Sequence, residues 1–309
     1  MTRDMHDKKE NIYKGLAFFL LFCFAFTWLY DLVVIRNVAV VNDERLISIL
    51  TCCGMYFPLI AHLFTRMILK EGLSLSWHES LMLGINRKHI IWMFFAAIIP
   101  FVYTEIGNWI LVAVYPNILL SENLRMALGI TASSVFLKVI KKIVMALAFS
   151  LVAIGEESGF RGYMMPRLMQ IMSIRKAIIV GGVIWGVWHI PLICMGYNFG
   201  TDYNGFPYVG IVMMILNCIF AGCILTMITI KTESIWPATL LHAFNNSRPG
   251  IISYYFNIYE VSRINSIYEA FIMQIPIYIL GIICFFVFFK NNRDYSYIKQ
   301  RKFVFRRKK

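Results

Sequence analysis

The 309-residue chain is strongly apolar and basic: 59% of its residues are hydrophobic, only 15% are Asp, Glu, Lys or Arg, and the formal net charge is +13. Soluble domains carry about 25% charged residues, so this composition excludes an ordinary soluble globular protein. The apolar residues fall in blocks of about 20, the length that crosses a hydrocarbon core of about 30 Å. The sequence therefore predicts an all-α fold, a polytopic membrane helical bundle.

Eight segments have the length and hydropathy of transmembrane helices. They are residues 14–35, 46–69, 90–115, 134–154, 177–195, 209–230, 235–252 and 270–289. The fifth and seventh segments are unusual because they carry histidines. We divide the chain into three N-terminal spans (1–133), a core of spans four to seven (134–252), and the last span with a basic tail (253–309).

The distribution of positive charge predicts the orientation. With the N-terminus inside, 21 of the 30 Lys and Arg residues fall in cytoplasmic segments, four fall in outer segments and five lie within the spans. Since the cytoplasmic loops of membrane proteins carry the excess of Lys and Arg, both termini are expected in the cytoplasm. Richness in Ile, Lys and Asn is typical of an AT-rich bacterial genome, so we expect a multi-pass protein of a bacterial plasma membrane.

The C-terminal tail contains nine Lys and Arg residues between Lys290 and Lys309, interleaved with Tyr and Phe. Basic residues beside a membrane span attract anionic lipid headgroups. Anionic lipid, and not nucleic acid, is therefore the predicted partner of this tail.

Two adjacent carboxylates, Glu156 and Glu157, follow an apolar run that ends at Ile154, and Arg161 comes four residues after the second. Ionisable residues inside a membrane are costly and are functional candidates. On a helix, Glu157 and Arg161 share a face at ion-pair spacing, whereas Glu156 points about 100° away and stays available as a base. The structural alternative is a helix end at which both carboxylates face water.

Two later spans carry further polar groups. His189 follows Trp185 by four residues, so the two share one helix face. Pro191 leaves a purely structural role open for His189, because the proline frees backbone carbonyls that an imidazole can satisfy. His242 and Asn246 are also four apart on one face, and their structural alternative is polar packing between helices.

Glu, His and Asn are residue types that activate a water molecule and stabilise an oxyanion. Two histidines and a carboxylate are also the ligands of a catalytic zinc with an open position. The sequence contains no GxSxG, HExxH or Gly-rich phosphate loop. The residues favour water-activated hydrolysis in a membrane cavity and leave two forms open, one without metal and one with zinc held by Glu156, His189 and His242.

The three polar groups, taken in order, resemble the three motifs of the CPBP family of intramembrane proteases. The motifs are EExxxR at 156–161, WxxxH at 185–189 and HxxxN at 242–246. That family includes the type II CAAX prenyl proteases and the bacterial Abi proteins linked to bacteriocin self-immunity. The motif-bearing region covers residues 144–250, about a third of the chain. Trp185 stands where the family usually has phenylalanine and keeps a ring on that helix face.

The resemblance implies a glutamate-dependent intramembrane endopeptidase whose cavity opens toward the cytoplasm. The residues it implies are Glu156 and His189 to activate the water, His242 and Asn246 to stabilise the oxyanion, and Glu157, Arg161 and Trp185 in structural or substrate-orienting roles. Metal dependence stays open, with Zn²⁺ as the alternative to a metal-free site. The expected substrate is a peptide or a membrane protein.

Three functions remain at this point. The first is an endopeptidase acting in bacteriocin self-immunity or signal-peptide processing. The second is a non-catalytic immunity or scaffold protein, which would not need Glu156 to be kept apart from Arg161. The third is a proton-coupled transporter, against which no repeated halves with matching broken helices are visible. The motif set favours the endopeptidase.

Overall fold

The computed structural model describes residues 3–39, 44–72, 85, 87–248 and 250–288. The principal helices are α1 (Arg3–Tyr30), α2 (Glu44–Gly54), α3 (Phe57–Ile68), α4 (Arg87–Val114), α5 (Ala132–Gly159), α6 (Ile174–Trp188), α7 (Tyr208–Thr232), α8 (Trp236–Ser247) and α9 (Ser266–Ile283). Shorter helical segments extend or join them: Asp31–Ile35, Arg36–Ala39, Pro116–Ile118, Glu122–Ala127, Phe160–Met164, Met165–Ile171, Ile190–Cys194, Ile252–Tyr255, Ile258–Ser262 and Cys284–Phe288.

These helices confirm the predicted all-α membrane bundle. Five of them are long and apolar enough to cross a membrane: Glu10–Ile35, Arg45–Ile68, His89–Val114, Tyr208–Thr232 and Ser266–Val287. The other three predicted spans coincide with α5, whose second and third turns contain Lys138, Lys141 and Lys142, and with α6 and α8, which have only 15 and 12 residues. The count of eight spans therefore stays a prediction.

The bundle turns apolar side chains outward and keeps polar ones inside. Phe94, Leu137 and Leu151 are each more than 60% exposed, as expected for helices that contact lipid. By contrast, His62 and Arg66 are buried, and Nε of Arg66 donates a hydrogen bond of 2.8 Å to Nε2 of His62. Polar groups in this interior must find partners there, because lipid supplies none.

The C-terminal end of α5, which carries the two glutamates, packs closely against the backbone of neighbouring residues. Gly155 lies against the backbone of Met55 and Tyr56, in the turn between α2 and α3. One turn further on, a Cβ added to Gly159 would lie 2.5 Å from the Cβ of Pro58. Only glycine permits this approach, so α5 is held against α3 on both sides of the two glutamates.

Contacts between helix ends define two ends of the bundle. At one of them the start of α1 packs on the segment that follows α5, since Gly15 lies beside Arg167. The end of α9 reaches the same level, where Phe285 lies 5.6 Å from the Arg175 guanidinium at the start of α6. We call this the terminal end. The basic tail that follows α9 lies outside the described residues, so its contact with anionic lipid stays a prediction.

The opposite end of the bundle, called here the cavity end, contains the ends of α1, α6 and α8 and the start of α5. The indole of Trp28 near the end of α1 donates a hydrogen bond to the carbonyl of Trp188 at the end of α6, at 3.1 Å. Lys142 in the first half of α5 donates to the carbonyl of Arg248, directly after α8, also at 3.1 Å. With α2 and α3 taken as one span, Arg45–Ile68, the successive helices alternate in direction between the two ends.

Candidate active site

A cavity of about 450 Å³ lies inside the bundle and gathers the residues that the motifs single out. Its wall includes Glu156, Trp185, His189, His242 and Asn246. They come from α5, α6 and α8 and the turn after α6. Residues up to 90 positions apart in the sequence therefore face one cavity, as we expect from the three motifs.

Glu156 is anchored by the second motif. Its side chain is almost buried, and its Oε2 accepts a hydrogen bond of 2.7 Å from the indole Nε1 of Trp185. Among the described residues, no side chain donates to its other oxygen, and Glu156 lines the cavity. One carboxylate oxygen is thus fixed and the other is left for a cavity molecule.

Glu157 points away from the cavity into a buried ion pair. Its Oε1 accepts from Arg161 at 3.1 Å, so the ion pair expected from the four-residue spacing forms. The same oxygen accepts from Nδ1 of His242 at 2.7 Å. Glu157 therefore joins the first motif to the third, a contact that the sequence pattern did not indicate.

Trp185 lies at the centre of the site. Its ring is 5.4 Å from that of His242 and 6.1 Å from that of His189. The Arg161 guanidinium stacks 4.0 Å from the centre of the same ring, a cation–π contact. Trp185 thus contacts both histidines, the arginine and Glu156.

His189 is fixed by its own helix. Its Nδ1 lies 2.8 Å from the carbonyl oxygen of Trp185, and because a carbonyl only accepts, Nδ1 carries the proton. The structural role suggested by Pro191 is therefore partly realised. It occupies one ring nitrogen only; the Nε2 is free of hydrogen bonds from described residues, and the ring lines the cavity.

The third motif places two asparagines in different surroundings. Asn245 accepts a hydrogen bond of 2.5 Å from the Tyr103 hydroxyl on α4. Its amide nitrogen lies 3.3 Å from Oδ1 of Asn246, which leaves the Asn246 amide nitrogen directed elsewhere. Asn246 is exposed to the cavity. The link from Tyr103 was not foreseen, because α4 carries no motif.

The candidate zinc ligands, Glu156, His189 and His242, are not arranged as a zinc site in this structure. No group of three His, Cys, Asp or Glu side chains that could hold a metal ion occurs within the described ranges. Both histidines use Nδ1 for protein contacts, with Trp185 and Glu157 respectively, which leaves only Nε2 of each ring for a ligand in the cavity. The zinc alternative stays a prediction, and the chemistry below is derived from the protein groups alone.

The cavity extends from Glu156 to the cavity end of the bundle, where α1, α6 and α8 end. Besides the motif residues, its wall contains Asp31, Ser48, Asn198, Arg248 and Gln274. Asp31 follows the end of α1 and Arg248 follows the end of α8, whereas Ser48 lies near the start of α2. The described start of α1 and the described end of α9 lie at the other end. The predicted cytoplasmic termini and the predicted opening of the cavity to the cytoplasm both stay predictions.

The terminal side of the site is filled. Phe160, one turn after Glu156, is 1% exposed. Beyond it, Glu71 binds Arg167 at 2.6 Å and lies 3.8 Å from Arg66, and all three side chains are buried. From the sequence, Arg66 and Arg167 enter only the count of positive charges. Arg66, an arginine inside a predicted span, was the available signal for this buried network.

The same region of the chain matches known proteins. Residues 138–248, which contain all three motifs, match the family described as type II CAAX prenyl endopeptidase, Rce1-like. Over 120 residues the chain is 30% identical to CAAX prenyl protease 2 of Methanococcus maripaludis, and this alignment covers 38% of the chain and 42% of that protein. The match thus spans less than half of the curated relative. These findings confirm the resemblance to the CPBP family.

Proposed function

We propose that this protein is an intramembrane endopeptidase that hydrolyses a peptide bond with water activated by Glu156 and His189. The observation that carries the proposal is the separation of the two glutamates. Glu157 is neutralised by Arg161 and His242, whereas Glu156 faces a cavity with one oxygen unengaged by described side chains.

In the proposed reaction, a water molecule lies between the free oxygen of Glu156 and Nε2 of His189. The water oxygen attacks the scissile carbonyl carbon while its proton passes to Glu156. When the tetrahedral intermediate collapses, the C–N bond breaks and Glu156 returns this proton to the leaving amine. The indole of Trp185 keeps the carboxylate in place throughout, since it holds the other oxygen.

The oxyanion of the intermediate would be stabilised by His242 and Asn246. His242 donates from Nδ1 to the Glu157 carboxylate, and a proton on its Nε2 would let the same ring donate to the oxyanion. Asn246 adds its amide N–H. Oxyanion donors of this kind are worth about 100- to 1000-fold in rate each.

The substrate is a peptide or a membrane protein, and the biological role we propose is bacteriocin self-immunity or signal-peptide processing in a bacterial plasma membrane. Two observations support hydrolysis over a scaffold role. A scaffold would not need a buried carboxylate that faces a cavity, and the matching relative bears the name of a protease.

The proposal is tested by comparing new peptide termini in membranes of cells that express the wild type or one of three variants, Glu156→Ala, His189→Ala and His242→Ala. Mass spectrometry should find termini that depend on the wild-type chain and vanish with each variant. Each variant must be shown to reach the membrane in equal amount. Persistence of the same termini in all three would overturn the proposal.

A further inference from the structure

We infer that Asp31, in the wall of the cavity that contains Glu156, binds a positively charged group of the substrate, either a Lys or Arg side chain or a free amino terminus. That a peptide carries this cation rests on the proposed endopeptidase function. That the cavity has a carboxylate suited to a cation does not, because it follows from the surroundings of Asp31.

Asp31 is a buried carboxylate without a partner in the described part of the chain. Its side chain is 1% exposed, and neither of its oxygens accepts a hydrogen bond or forms an ion pair with a described residue. A buried charge is costly unless it is paired, and ionisable residues inside a membrane protein are candidates for function. Asp31 also begins a π-helix, Asp31–Ile35, a distortion that occurs frequently at functional sites.

The position of Asp31 relative to the proposed catalytic residues follows from α1. Asp31 comes four residues after Thr27, whose hydroxyl accepts a hydrogen bond of 2.9 Å from the indole of Trp188, the residue directly before His189. Asp31 therefore lies about one helical turn, roughly 6 Å along α1, from the level of His189 toward the cavity end. An extended peptide covers about 3.3 Å per residue, so a cation bound to Asp31 is expected within a few residues of a scissile bond at Glu156.

The other charges in the cavity wall indicate which kind of cation fits. Besides the two histidines, the wall contains the charged residues Asp31, Glu156 and Arg248, and Arg248 forms no ion pair with Asp31 in the described structure. A divalent metal takes several ligands, and no group of three donors occurs in the described residues. An ammonium or guanidinium group, by contrast, brings several N–H donors to a single carboxylate. A cationic group of the substrate is therefore the partner that this carboxylate fits.

Cation binding can be measured without any cleavage. The probes are three fluorescent peptides of one apolar sequence, each with an amidated C-terminus. The first is N-acetylated and has a central Lys, the second has Gln in place of that Lys, and the third is the Gln peptide with a free amino terminus. Dissociation constants are measured for the full chain in zwitterionic lipid, as wild type, Asp31→Asn and Asp202→Asn. Asp202 is exposed and is not part of the cavity wall, so Asp202→Asn makes the same change in net charge elsewhere.

We expect the wild type and Asp202→Asn to bind the Lys peptide about tenfold or more tightly than the acetylated Gln peptide, as for a hydrogen bond to a charged group. Asp31→Asn should bind both equally. A preference for the free amino terminus alone, lost in Asp31→Asn, would assign the cation to that terminus. Equal affinity of the wild type for all three peptides overturns the inference, and so does a preference that Asp31→Asn keeps.

Two further measurements complete the test. Should Asp31→Asn fail to fold, carbodiimide cross-linking of the bound Lys peptide to the wild type is read by mass spectrometry, and a cross-link only to carboxylates other than Asp31 overturns the inference. On a cleaved peptide with a basic residue, Asp31→Asn should raise KM and leave kcat nearly unchanged, since Asp31 does not contact the reacting atoms. If the wild type cleaves no peptide, the proposed function fails, while the binding preference still decides the inference.

Discussion

The indole Nε1 of Trp185 donates a hydrogen bond of 2.7 Å to Oε2 of Glu156, across the interface between α5 and α6. This contact orients the carboxylate that we propose as the base. The Trp185 ring also contacts the ring of His242, so it joins residues of the first and third motifs.

Trp185→Phe should therefore lower the turnover rate without loss of the fold. A hydrogen bond to a charged group is worth about 1.5–3 kcal/mol, so we expect a decrease of roughly tenfold or more in kcat with a smaller effect on KM. The comparison variant is Trp188→Phe, whose lost indole donor bonds Thr27 and not Glu156. An equal decrease in both variants would contradict a specific role of Trp185.

The two adjacent glutamates should respond in opposite ways to the same substitution. Glu157→Gln leaves the buried Arg161 without its charged partner, and breaking a buried pair costs about 3–5 kcal/mol. Glu156→Gln removes a buried charge that has no cationic partner among the described residues, so it should leave the melting temperature in detergent unchanged or raise it. A melting temperature lowered equally by both variants would contradict this division.

The two adjacent asparagines offer a second matched pair. Asn246→Ala should lower kcat by about 100- to 1000-fold, as expected for loss of an oxyanion donor. Asn245→Ala should have a smaller effect on kcat, because that side chain bonds Tyr103 and only supports its neighbour. Steady-state kinetics decides between them, and a greater loss with Asn245→Ala would reverse the assignment.

Chelation tests the metal question directly. We expect the purified protein to keep its activity after prolonged treatment with EDTA or 1,10-phenanthroline, since no metal-binding group of three donors occurs in the described part of the chain. Loss of activity that is restored by added Zn²⁺ would instead establish the zinc alternative.

Much of this architecture could be predicted because membrane spans are read from length and hydropathy alone. The ion pair between Glu157 and Arg161 was equally accessible, since it depends only on helical spacing. The contacts from Glu157 to His242 and from Trp185 to Glu156 were not, because they depend on how α5, α6 and α8 pack. A spacing rule says which residues share a face, but it does not say which helix that face meets.

The direction of the cavity could not be predicted for the same reason. Glu156 comes just after the predicted span 134–154, and the sequence does not say on which side of its carboxylate the open space lies. In the structure the terminal side is filled by Phe160 and the buried Arg167–Glu71 pair, and the open space lies on the other side of the carboxylate. The volumes of the packed side chains decide on which side of Glu156 the cavity lies, and the periodicity of the sequence does not contain this information.

The most direct test of the account is the cleavage rate of the purified, lipid-reconstituted protein on a peptide identified from its wild-type-dependent termini, measured for the wild type and for Glu156→Gln. The account predicts that Glu156→Gln lowers the rate by at least about 100-fold, the contribution of a general base, while the melting temperature does not fall. A rate within about twofold of the wild type would contradict the central claim that Glu156 activates the water.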